Sequence, residues 1–160
     1  FAAKLLAQHK KVLIFDWDVH QGDGTFKLVQ GVPNIKLITV QRHDNGEFYP
    51  GTGGTFSKTN AHSIGFNGSL TGKEYLELFM DKVIPEIEDY KPDVILVSAG
   101  FDTARGDPLG DCTLDPAHYF KMTKELLKHC DGNLIAFLEG GYFPKAIGHG
   151  IKAVLEAFMS

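Results

Sequence analysis

The chain has 160 residues, 43% of them hydrophobic and 22% charged, with a formal net charge of −4, values that suit one globular domain with a sizeable core. The acidic balance argues against a broad phosphate-binding surface, so no direct nucleic-acid partner is expected, and no apolar run approaches the ~20 residues that span a bilayer. Two cysteines, Cys112 and Cys130, exclude a disulfide scaffold; with no signal-peptide pattern at the N-terminus, an intracellular setting, cytoplasmic or nuclear, is expected.

The opening "FAAKLLAQHK" reads as the tail of a helix with Leu5 and Leu6 on its apolar face. "KVLIF" follows as a continuous apolar run, typical of a strand covered on both faces. Helical character resumes from Gly24 to Val29 and ends near Gly31 and Pro33; "IKLITV" is a second strand. Residues 43–71, rich in Gly, Asn and Ser, read as a functional loop region. Residues 73–90 place Leu76, Phe79, Val83, Ile84 and Ile87 at helical spacing, with Pro85 as a kink. "DVILVSAG" is a third buried strand, 101–115 a second irregular segment, and Pro116 the first residue of a helix running to about Cys130. "NLIAFLEGG" is a fourth strand and residues 144–159 a last helix. This alternation predicts a single α/β domain with a parallel sheet flanked by helices.

In open parallel α/β sheets, ligands bind beyond the carboxyl ends of the strands. Asp16, Asp18, His20 and Asp23 follow the first strand, Asp102 and Asp107 the third, and Glu139, Gly140, Gly141 and Tyr142 the fourth. Asp16, Asp18 and His20 alternate, so an extended chain turns all three to one face. Carboxylates packed this closely repel one another unless a cation supplies positive charge. Two carboxylates and an imidazole suit a catalytic metal with open positions, and Asp102 is the natural third ligand. Taken alone, D-x-D-x-H also fits a solvated strand end with a hydrogen-bonded histidine. The matching groups at the other strand ends weigh against that. "GDGT" lacks the spacing and the Lys-Ser/Thr pair of a phosphate loop, and its acidic neighbours repel anions. "EGGY" fits either a tight turn under an aromatic ring or a tyrosine whose hydroxyl donates to an oxyanion.

"DWDVHQGDGT", "YPGTG", "SAGFDTARGDPLG" and "LEGGY" stand in the order and approximate spacing of the zinc-dependent histone deacetylase family. The resemblance is class II-like and extends to bacterial acetylpolyamine amidohydrolases, and it implies the arginase/deacetylase α/β fold. By that resemblance Asp18, His20 and Asp102 are the Zn2+ ligands, and Tyr142 polarises the substrate carbonyl. Asp16 and Asp23 are the acidic partners of a catalytic histidine pair. Asp16, with the backbone carbonyls of Asp18 and His20 and that of Gln41, also resembles a structural K+ site. Tyr49, Leu109, Gly140 and Gly141 line a tunnel for an acyl-lysine side chain. The implied reaction is hydrolysis of the acetyl amide of acetyl-lysine, in a histone or another protein, or of an acetylpolyamine.

The family's tandem catalytic histidines lie upstream of D-x-D-x-H, and this chain has no His-His. His9 sits in the helix before the first strand and matches no catalytic position; His43, His62, His118, His129 and His149 read as surface or capping residues, with a minor rim role open to His43 and His62 in the loop region. The expectation is therefore a partial domain: the zinc-bearing C-terminal half of a deacetylase, completed by a missing N-terminal half or a complementing chain, with apolar surface bare on the first helix and the sheet edge. The alternatives are a non-catalytic metal-binding module and, ranked last, a binuclear manganese hydrolase of the arginase branch.

Overall fold

The computed structural model describes residues 1–160. Every residue of β1 (Val12–Asp16) is buried, as a strand with neighbours on both sides and helices on both faces must be. It pairs in parallel with β2 (Ile35–Arg42) on one side and β5 (Val94–Ala99) on the other. With β3 (Phe56–Lys58), β4 (Ala61–Phe66) and β6 (Leu134–Leu138) they form one sheet in the order β3-β4-β2-β1-β5-β6. All neighbours are parallel except β3, which runs antiparallel to β4.

Period-two alternation divides the strand side chains between two cores. Leu13 and Phe15 of β1, Ile95 and Val97 of β5, and Trp17 and Val19 beyond β1 enter a cluster of 26 buried residues. Helices α3 (Gly72–Leu78), α4 (Ile84–Tyr90), α5 (Pro116–Lys128) and α6 (Pro144–Met159) contribute to that cluster or pack against it. Val12, Ile14, Val94 and Leu96 face the other way into a cluster of 10, covered by α1 (Ala2–Leu6) and α2 (Asp23–Val29). No helix is long and apolar enough to cross a membrane.

Two sequence expectations need correction. Residues 43–71 are not loop throughout: Asp44–Gly46 form a 3₁₀ turn, and β3 and β4 form a hairpin. "AHSIGF" in β4 mixes His, Ser and Gly with its apolar positions and hides the strand pattern, although Ala61, Ser63, Ile64 and Phe66 are all buried. Gly65 is required there, since a Cβ would meet the backbone of Gly54 at 2.8 Å. The second correction concerns residues 73–90. Thr71 and Glu74 start α3 with a reciprocal capping box, but the helix widens into a π turn at Phe79–Val83 before α4 begins. Pro85 has no N–H to donate back into that turn.

The expected bare apolar surface is present. Leu5 of α1 is 52% exposed, and on β6, at the sheet edge, Ile135 and Phe137 are 46% and 43% exposed. Position therefore outranks residue type in setting the cost of a substitution. Phe15→Ala, in the larger core, should lower stability by roughly 3–5 kcal/mol. Phe137→Ala should cost well under half of that, because its ring is already partly in water. Urea unfolding of the two variants tests the contrast.

Candidate metal centre

The chain moves outward from β1 to β2 and β4, then returns to place β5 on the opposite side of β1. The carboxyl ends of β1 and β5 thus lie at the switch point of the sheet, where a crevice must open. Asp16 stands in register with Ser98, so the segments leaving the two strands start side by side. Trp17 and Val19 bury into the core, which turns the alternate residues Asp16, Asp18 and His20 toward the crevice.

Asp102, fully buried on the segment after β5, completes the group. One ligand atom from each of Asp18, His20 and Asp102 lies within 4.8 Å of the others. His20 Nδ1 is 3.0 Å from Asp18 Oδ1 and 3.1 Å from Asp102 Oδ2. The remaining oxygens are held by backbone donors: Val19 N–H donates to Asp102 Oδ1 at 2.8 Å and Gly140 N–H to Asp18 Oδ2 at 3.0 Å. Burial, opposed by the imidazole contact and reinforced by the Asp18 charge, pushes the Asp102 carboxyl up to about 6. Burial also acts against the charge of Asp18, yet its hydrogen bonds to His20 hold its pKa below the usual carboxylate range. The Asp102 and Asp18 carboxylates push the imidazole up to about 9. The imidazole and the two carboxylates thus form one compact polar group.

This centre fits a divalent cation on three counts. Its donor set of one imidazole and two carboxylates suits a zinc-type ion. Its geometry gathers one ligand atom from each of the three side chains around a single point. Space has been kept as well: a Cβ on Gly140 would overlap an oxygen of both Asp18 and Asp102, and one on Gly100 would overlap Asp18.

Asp18, His20, Tyr49, Leu109, Gly140 and Tyr142 line one cleft of about 690 Å³, with Asp16 in its wall. Tyr49 meets the His20 ring edge-on at 6.0 Å. Asp16 is 4% exposed and accepts the Asp18 N–H at 3.1 Å; burial, and then the Asp18 charge, raise its pKa well above the usual carboxylate value. Burial and the Asp102 and Asp18 carboxylates likewise raise the Tyr142 phenol, which keeps it protonated and able to donate. Asp23 and Gly141 stand outside the cleft wall. Asp23, in the first turn of α2, accepts the Thr52 hydroxyl at 2.8 Å and ties "YPGTG" to that helix. Gly141 takes φ +123°, and a Cβ there would press on Phe101 and Ile147. His118 caps α5, accepting the Asp115 N–H at 2.9 Å.

The family model for the histone deacetylase domain matches residues 1–158. The chain belongs to the histone deacetylase family. Histone deacetylase 15 of Arabidopsis thaliana is 39% identical over 173 residues, which span 98% of this chain and 30% of that protein. The histone deacetylase clr3 of Schizosaccharomyces pombe (strain 972 / ATCC 24843) is 34% identical, over 94% of this chain and 23% of that protein. The crystal structure of the HDA15 HD domain superposes with a TM-score of 0.88 at 37% identity, covering 96% of this chain and 46% of that one. The structure of the histone deacetylase Clr3 gives a TM-score of 0.91 at 33% identity, covering 96% and 28%. This chain therefore spans under a third of the length of these curated relatives. The α/β fold with a helix-flanked parallel sheet, expected from the strand alternation and given its arginase/deacetylase type by the family resemblance, is the fold of these deacetylases.

Two residues of the centre escaped the sequence analysis. Phe48 stacks on the His20 imidazole with centroids 5.3 Å apart and planes at 17°. The Arg42 guanidinium lies 4.7 Å from the centroid of Phe48 and is held by Asp44 at 2.7 Å. The sequence signal was the aromatic pair in "EFYPGTG", of which only Tyr49 drew notice. If the glycines reserve the volume of an ion, Gly140→Ala should abolish tight zinc uptake while leaving the fold intact. Gly148→Ala, with nothing within 4 Å of its added Cβ, should bind zinc as the parent does. Metal content after dialysis, with circular dichroism as the fold control, distinguishes the two.

Proposed function

We propose that these residues are the metal-bearing part of a zinc-dependent deacetylase that hydrolyses the acetyl amide of an acetyl-lysine side chain or a related acetylated amine. One observation supports it above the rest: Asp18 and His20, which line a cleft together with Tyr142, converge with the buried Asp102 within 4.8 Å. A zinc ion held by those three side chains would polarise a carbonyl oxygen and lower the pKa of a bound water. The protein's own groups supply the rest. Tyr49, Phe48 and Leu109 give the cleft apolar walls for the methylene chain of the substrate. Gly140 leaves the carbonyl room to approach. The Tyr142 hydroxyl donates to the oxyanion as the carbonyl carbon becomes tetrahedral. The water oxygen bonds to that carbon, the amide C–N bond breaks, and a proton passes to the departing amine, giving acetate and a free amine.

That proton needs a base and an acid, and we assign both to a histidine pair from polypeptide outside these 160 residues. The deacetylases that the chain resembles are more than three times its length, which leaves ample chain for such a pair. Asp16, at the end of β1, and Asp23, at the start of α2, are the carboxylates that would orient it. Asp16, buried and with no cationic partner, is also the anchor for a monovalent cation such as K+. A single three-residue cluster supports a mononuclear centre over a binuclear manganese one.

In the complete enzyme, Asp18→Ala and Asp102→Ala should each bring bound zinc from about one equivalent to near zero, read by elemental analysis. Retention of the metal in both would remove the zinc assignment. Tyr142→Phe should keep its zinc and lower kcat on an acetyl-lysine peptide by roughly 10²–10³-fold, the usual loss for one oxyanion donor. Undiminished turnover would remove that role. Metal without any turnover in the complete enzyme would favour a binding module instead.

A further inference from the structure

Asp107 lies five residues beyond Asp102 and takes no part in the metal cluster. It is 7% exposed and pairs with no cationic side chain. A carboxylate so placed must be satisfied by hydrogen bonds, and its donors are three backbone N–H groups from two separate segments. Asp107 Oδ1 accepts Leu109 N–H at 2.9 Å and Gly110 N–H at 3.3 Å. Asp107 Oδ2 accepts Tyr142 N–H at 2.7 Å, across 35 residues of sequence.

The division of labour between the two oxygens carries the inference. Oδ1 closes a local turn of the kind aspartate commonly makes, and that turn carries Leu109 into the cleft wall. Oδ2 does something a local turn does not need: it grips the backbone of Tyr142, whose side chain lines the same cleft as Asp18 and His20. Tyr142 needs such a grip. It follows two glycines, one at φ +123°, its side chain is 53% exposed, and no side-chain hydrogen bond fixes its hydroxyl. One buried carboxylate thereby sets two facing parts of the cleft at once.

Resting on the reading of Tyr142 as the oxyanion donor, we propose that Asp107 is the positioning residue that holds Tyr142 over the metal centre and sets its distance from the Leu109 wall. The hydroxyl does the chemistry. Asp107 decides where it stands.

The test uses the full-length polypeptide that carries this chain, with Asp107→Asn, Asp107→Ser, Tyr142→Phe and each Asp107 variant combined with Tyr142→Phe. Asn offers one acceptor oxygen where Asp has two. Ser keeps an acceptor for the local turn but is too short to reach the Tyr142 N–H, so it preserves the loop if Asn does not. All variants should retain zinc. On an acetyl-lysine peptide, Asp107→Asn and Asp107→Ser should lower kcat roughly tenfold to a hundredfold, as misplacement of a catalytic group does. Combined with Tyr142→Phe, they should cost less than about twofold more, because the group they position is already gone. Amide hydrogen exchange in residues 139–143 should quicken while that of β5 stays unchanged. Equal fold-losses with and without Tyr142→Phe, or unchanged exchange in residues 139–143, would overturn the proposal. A Tyr142→Phe enzyme with full kcat would instead overturn the oxyanion reading and the catalytic half of this proposal with it; the exchange rates still decide the anchoring.

Discussion

Two carboxylates are forced together at the centre of this molecule because β1 and β5 are neighbours in register. Asp18 and Asp102 are 84 positions apart in sequence, and neither segment alone would put an unpaired acid into so dry a place. Parallel pairing from Val12↔Val94 to Asp16↔Ser98 brings the two segments out of the sheet at the same height. Everything around them answers the resulting repulsion. An imidazole bridges one oxygen of each acid, backbone N–H groups take the other two, and glycines withhold side chains from the remaining space. The apolar layers on both faces of the sheet fix the strands against each other and so make the acids stay.

The imidazole at this centre is held in a layered way. Phe48 covers its face, Arg42 covers Phe48, and Asp44 holds Arg42. Arg42 also reaches the carbonyl of Gly110 at 3.4 Å, on the loop that Asp107 closes. The ring orientation of His20 and the position of the Leu109 loop therefore share supports, and both hang from the end of β2. Rigid strands end in short, mutually hydrogen-bonded segments, and the functional side chains stand on those.

Four parallel strands were legible as apolar runs: β1, β2 and β5 because a strand buried on both faces has no other composition open to it, and β6 because its residues are apolar although Ile135, Phe137 and Leu138 stand half-exposed at the edge. The grouping of Asp18, His20 and Asp102 was legible for the opposite reason: acids are costly where those runs end, so their presence demanded a partner. The hairpin of β3 and β4 was not legible. Two of its four buried positions are Ala61 and Ser63, and its place is set by pairing with β2 rather than by its own pattern. The π turn at Phe79–Val83 was equally hidden, since Phe79 and Val83 keep helical spacing whichever way the turn is wound. Phe48 and Arg42 reach His20 through a folded loop, and no local period announces a contact across more than twenty residues. Asp107 drew notice as an acid near a strand end, but its partner Tyr142 is known only once the loops are closed.

The two edges of the sheet are unlike. On one side the three-residue β3, running against the grain, closes the ladder with a short and twisted end. On the other, β6 keeps parallel direction, full length and half-bare apolar side chains. Growth of this sheet is therefore polar: an added strand finds a template beside β6 and none beside β3. Since β6 leads directly into Gly140, Gly141 and Tyr142, whatever strand settles there bears on the same segment that carries the phenol. Extension of the scaffold at this edge and placement of the cleft-lining Gly140 and Tyr142 thus share one strand.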